Sequence, residues 1–127
     1  MMIHVPVSVG ELVDKVTILN IKSRMITDEA KLTNIRKELD ALKNVCRDHK
    51  IDIGDAETRI LEEINLKLWK IEDDIRDKER AKSFDKEFVE LARAVYVTND
   101  ERFRAKAVLN DKYGSAFKEE KSYKKYL

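Results

Sequence analysis

Asn65, Trp69, Glu72 and Arg76 follow one another at intervals of four, three and four residues. At ~100° per residue that spacing lines them up in one stripe of a helix. An indole beside an amide, a carboxylate and a guanidinium has the makings of a pocket wall. Arg76 would hold an anion, Glu72 would act as a base or orient the arginine, and Trp69 would cover an apolar part of a ligand. The same spacing also serves a plainer end, in which Trp69 packs at the core edge and Glu72 pairs with Arg76 on a solvated face.

A second polar group lies thirty residues on. Arg93, Tyr96 and Asp100 share a helical stripe, with Asn99 and Arg102 close by. Thr98-Asn99-Asp100-Glu101 reads as a capping box, so a helix starting there would offer backbone N–H groups to an anion. Asp100 and Glu101 stand at the same start and would repel one, and self-capping explains the motif equally well. Near the N-terminus Glu11, Lys15 and Lys22 line one edge of a helix, while Asp14, Thr17 and Arg24 fall on another arc. A candidate site for a phosphate- or carboxylate-bearing ligand then lies between helices 1, 3 and 4. Lys15 or Lys22 with Arg76 and Arg93 would supply charge, Trp69 and Tyr96 the walls, and Glu72 a general base or a partner orienting an arginine, with Asn65, Asn99 and Arg102 as further candidate ligand-binding residues.

Other chemistries find less footing. His4 and His49 stand alone, with no HExxH and no Cys/His pairing, so no metal site is expected. The three glycines make no dinucleotide or P-loop fingerprint, and no cofactor is implied. Glu62, Glu63, Glu72, Asp73 and Asp74 could hold Mg²⁺ as in helical-bundle nucleotide pyrophosphohydrolases. Glu87-Phe88-Val89-Glu90 supplies only half of that arrangement. Cationic helices also suggest the all-helical chorismate mutases, but the spacing does not match. Whether the chain is an enzyme stays open on these grounds.

The elements that must position these residues are helices. Among 127 residues 40% are charged and 43% hydrophobic, with three Gly and one Pro, a composition suited to long helices and short connections. Lys and Arg number 26 against 25 Asp and Glu, a balance that argues against nucleic acid as the main partner. The start of the chain has neither the basic opening nor the apolar core of a signal peptide, and no apolar run approaches a membrane span. A cytoplasmic protein is expected. Cys46 reads as a small core residue.

Residues 3–7 form a short extended lead ended by Pro6 and Val7. Ser8 then opens helix 1 (8–26) in a capping box with Glu11, and Val7 is placed to staple Leu12. The wide apolar arc of helix 1 marks it as central. Helix 2 (28–48) carries Leu32, Ile35, Leu39, Leu42 and Cys46 at alternating intervals of three and four, and helix 3 (56–82) repeats this with Leu61, Ile64, Leu68, Ile71 and Ile75. Two matched seams joined by a loop, with Gly54 at its left-handed position, predict a long antiparallel hairpin of helices 2 and 3. Ser83 should cap helix 4 (84–97); the Thr98 box either opens a separate helix 5 (99–113), the break that β-branched Val97-Thr98 favours, or sits within one continuous helix, and Gly114 should stop it. A tail at 115–127, with anchors at Phe117, Tyr123, Tyr126 and Leu127, completes one all-α domain, a four- to five-helix bundle.

The blocks PVSVGELVDKVTILNIK (6–22), NLKLWKIEDDIRDKE (65–79), ELARAVYVTNDERFRAK (90–106) and EEKSY (119–123) resemble the signature of an uncharacterised family of short, all-helical bacterial and phage proteins. The resemblance spans nearly the whole chain. It implies that helix 1, the Asn65–Arg76 stripe and the Arg93–Arg102 region converge, and it brings no reaction with it. The leading expectation is a non-enzymatic interaction or accessory module that forms a homodimer or binds a protein partner. The alternative is the small anionic ligand site outlined above.

Overall fold

A computed structural model describes residues 1–126, so the expected anchor at Leu127 lies outside the described residues. Residues 1–8 have neither helix nor strand, and four helices follow: α1 (Val9–Met25), α2 (Glu29–Asp48), α3 (Ala56–Arg80) and α4 (Lys86–Tyr113). Each begins where a short polar side chain accepts from a backbone N–H three residues on. These caps are Ser8 to Glu11, Asp28 to Lys31, Asp55 to Thr58 and Asp85 to Phe88. Ser83, expected as the cap of the last helix, instead donates its hydroxyl to Asp85 at 3.2 Å. The left-handed residue between α2 and α3 is Lys50, at φ 57°, rather than Gly54. Gly114 does stop α4 in the left-handed region.

α1 occupies the middle, packed against α2, α3 and α4. Val13, Val16, Leu19 and Ile21 are buried on it, as its wide apolar arc requires. The α2 seam stands as read, with Leu32, Ile35, Leu39 and Cys46 buried, but it faces α1. α2 and α3 do not pack on each other, so the expected hairpin of helices 2 and 3 is corrected: the paired helices are α3 and α4. Ion pairs mark their antiparallel register, from Glu57–Lys112 at one end through Lys67–Glu101 to Lys78–Glu87 at the other. A seam with intervals of three and four residues says that a helix buries a stripe, not which neighbour covers it.

The second correction concerns the Thr98 box. Helices 4 and 5 are one continuous helix of 28 residues. Thr98 is turned inward and buried, Glu101 reaches Lys67 of α3, and Asp100 accepts from Tyr126 of the tail. With its side chains claimed by tertiary partners and its flank packed along α3, the segment has no reason to break. Val7 remains half exposed, so the expected staple on Leu12 contributes little. The core joins Leu12, Val13, Val16 and Leu19 to Ile35, Leu39 and Cys46 of α2, Ile51 of the loop, Leu61 of α3 and Leu109 of α4.

After Gly114 the chain turns back along α4 without regular structure. Ser115 accepts from Val9 N at 3.1 Å, Glu119 from Lys106 at 3.0 Å, and Tyr126 reaches Asp100 at 2.8 Å. The tail thus retraces the outer side of the helix it has just left.

Candidate functional site

The most buried charged group is the carboxylate of Asp14, 3% exposed in the middle of α1. A charge there needs compensation, since desolvating it alone would cost several kcal/mol. Arg102 of α4 supplies it with a two-pronged contact: Nε donates to Oδ1 at 2.9 Å and Nη2 donates to Oδ2. Asn65 of α3 donates to the same Oδ1 at 2.8 Å and to Thr17 Oγ1 at 2.9 Å. Thr17 in turn donates to the Asp14 carbonyl at 2.7 Å. One side chain from each of three helices therefore meets on a single carboxylate. The pKa of Arg102 is raised chiefly by its hydrogen bonds to Asp14.

One turn towards the start of α1, Lys106 lies buried on α4. Its ammonium donates to Glu11 at 2.8 Å and to Glu119 of the tail at 3.0 Å. Burial alone would lower the lysine pKa, but these carboxylates outweigh it and raise the value. Glu11, expected to reach back to the Ser8 N–H, is thus committed to Lys106 instead. Beside it Gly10 lets the two helices touch: a Cβ built there would fall 2.7 Å from the Lys106 carbonyl oxygen. The Gly10 N–H donates to Asn110 Oδ1 at 2.7 Å, and Ser115 and Ser8 accept from Val9 and Glu11. Three of the donors at this helix start, where an anion would otherwise bind, are accordingly taken.

At the base of the α3–α4 pair Lys112 donates to Asp55 and Glu57, at 2.8 and 2.9 Å. Tyr113 Oη donates to Asp55 at 3.0 Å. Burial tends to push the Asp55 carboxyl up, but the bonds from Lys112, Thr58 and Tyr113 win and bring it to about 2.

Of the ten residues proposed from sequence, Asn65 and Arg102 do meet at one point. Lys15 turns to α2 and pairs with Glu38 at 2.8 Å, with Lys22 half-buried farther along α1. Glu72 and Arg76 pair within α3 on an exposed face, next to a half-buried Trp69. Arg93 is exposed on α4. Tyr96 and Asn99 line a cavity of about 1000 Å³ between α4 and the tail. The envisaged single pocket between helices 1, 3 and 4 is therefore dispersed, because its cations lie on separate sides of the helices that carry them.

The residues that make the central network, Asp14, Thr17, Lys106, Asn110 and Glu119, were not singled out as a site. For Asp14 and Thr17 a signal existed: on a helix apolar around most of its circumference, a polar pair in mid-length must be buried and must find partners. Nothing local marks Lys106 or Glu119, whose meeting depends on the return of the tail.

A family model described as a family of unknown function (DUF6165) matches residues 3–127. The chain belongs to this family. No curated protein and no solved structure matches it. The DUF6165 model covers both the central network and the tail that closes over Lys106. Chemically, the charges in the network of this DUF6165 chain are paired: Asp14 takes up the Arg102 fork, and Lys106 is held between two carboxylates. Three cavities, of about 1000, 640 and 240 Å³, lie along α4, and Asp14, Thr17 and Asn65 line none of them.

Proposed function

We propose that this DUF6165 protein is a non-enzymatic interaction module whose charged centre holds the fold while its surface does the binding. The observation that carries the reading is the engagement of Asp14 by Arg102 and Asn65. A buried carboxylate that already accepts from three donors is poorly placed to act as a base, and a fork already closed on a carboxylate does not clamp a second anion.

The binding surface is the lead segment. Met1, Met2, Ile3, Val5 and Val7 are all more than half exposed, and no acid or lysine interrupts them. Ile3, Val5 and Val7 alternate along an extended chain, the pattern of a strand that lacks a neighbour. The occupant is a second copy, the two leads pairing about a two-fold axis so that each covers the apolar side chains of the other. This takes up the homodimer expected from sequence and assigns it to the lead.

Light scattering coupled to size exclusion, over a hundredfold range of concentration, tests it. The mass should rise from one chain towards two, and Ile3→Glu with Val5→Glu should abolish the rise without changing helicity or Tm. A constant single-chain mass up to several hundred micromolar overturns the proposal.

A further inference from the structure

α4 explains why the cavity of about 1000 Å³ between it and the tail exists. Tyr96 and Phe103 are seven residues apart, on the side of α4 turned away from α1 and α3, where Thr98, Arg102 and Leu109 face inward. They form an apolar floor outside the core. The returning tail roofs it without filling it: Tyr126 meets Tyr96 edge to face at 5.1 Å, and about 1000 Å³ is left between tail and helix. Pockets for small molecules run from about 300 to 1,000 Å³ and are walled mostly by apolar and aromatic groups around a few polar ones.

The cavity also gathers cations. Lys78, Lys106 and Lys112 each sit between two carboxylates. Around this cavity Arg104, Lys121, Lys124 and Lys125 form no ion pair with any described carboxylate. The one acid in the lining, Asp100, accepts from Tyr126 Oη at 2.8 Å. Lys121 is held over two rings, 5.3 Å from the centre of Phe103 and 5.6 Å from that of Tyr123. An ammonium fixed against aromatic faces keeps its charge available at the cavity wall, since a ring attracts it without neutralising it.

Aromatic faces next to unanswered cations match a ligand that is flat and apolar at one end and strongly anionic at the other. A nucleobase stacks on tyrosine and phenylalanine, and a diphosphate is met by lysine and arginine. We propose that the cleft between α4 and the C-terminal tail binds a nucleoside diphosphate, the base lying on the Tyr96–Phe103 floor and the phosphates between Arg104 and Lys121. This site is independent of the dimer proposed above, since the lead segment does not line it.

Calorimetric titration of the full chain with four probes tests the assignment: ADP, adenosine, inorganic pyrophosphate and a single-stranded octanucleotide. ADP should bind at least tenfold more tightly than adenosine or pyrophosphate, because only it engages both floor and cations. Lys121→Glu and Arg104→Glu, both exposed and therefore harmless to folding, should each weaken ADP at least tenfold. Lys86→Glu, the same charge change far along α4, should leave it unchanged. Absence of heat and of amide shifts at Tyr96, Phe103 and Lys121 with millimolar ADP overturns the proposal. So does ADP binding that the two cleft variants leave intact. Pyrophosphate as tight as ADP removes the role of the floor and contradicts it, and an octanucleotide much tighter than ADP replaces the small ligand with a nucleic-acid strand.

Discussion

Asp55 caps α3, takes a salt bridge from Lys112 and accepts the phenol of Tyr113, so a single carboxylate ties the start of α3 to the end of α4. Its folded pKa of about 2 lies below that of an ordinary aspartate near 3.9, so the unfolded chain holds the proton more tightly. The contribution of Asp55 is therefore complete above about pH 5 and fades as the pH falls towards 2. Urea midpoints of the protein and of Asp55→Asn should differ clearly at pH 6 and converge by pH 2; a constant gap would contradict the assignment. At this scale the sequence was legible where a residue acts on its own helix. Ser8 was read as a cap and is one. Glu11 was also read locally, but its carboxylate serves Lys106, 95 residues away. Asn65 and Arg102 were picked out by type, yet the group that unites them, Asp14, lay on an arc that had no assigned neighbour.

α1 and α4 owe their closeness to Gly10, and α4 owes its length to partners outside it. Gly10→Ala would gain helix propensity but drive a methyl into the Lys106 carbonyl oxygen, a backbone atom that cannot step aside. Overpacking of that sort costs about 1–3 kcal/mol, so the variant should melt lower, and a higher Tm would refute the close approach. Thr98 makes the opposite case. Its hydroxyl is buried with no hydrogen-bond partner. Thr98→Val keeps the shape and removes the orphan, which should stabilise the chain by about 1 kcal/mol by urea denaturation. A loss of stability would mean that the hydroxyl is satisfied after all. The first three helices were legible to within two residues because caps and apolar periods are local signals. The break expected at Val97–Thr98 was not, since the box that predicts it is put to other uses by α3 and the tail.

For the molecule as a whole, the all-helical class and the central place of α1 followed from composition and from its broad apolar arc. The pairing of α3 with α4 did not, because the seams of α2 and α3 have the same period and length. The dispersal of the cations has the same origin: Lys15, Arg76 and Arg93 sit on faces whose directions depend on the arrangement of helices. What results is a bundle whose interior charges are matched within the chain, with uncovered surface left at the lead segment and the α4–tail cleft. The claim on which this rests is that Asp14 and Arg102 serve the fold. A double-mutant cycle on Asp14→Ala and Arg102→Ala, read by urea denaturation, tests it most directly. Removing either partner strands a buried group and should cost about 3–5 kcal/mol, and the double variant should cost well below the sum of the two. Groups retained for chemistry often sit at the expense of stability, so single variants as stable as the parent, or more so, would contradict the account.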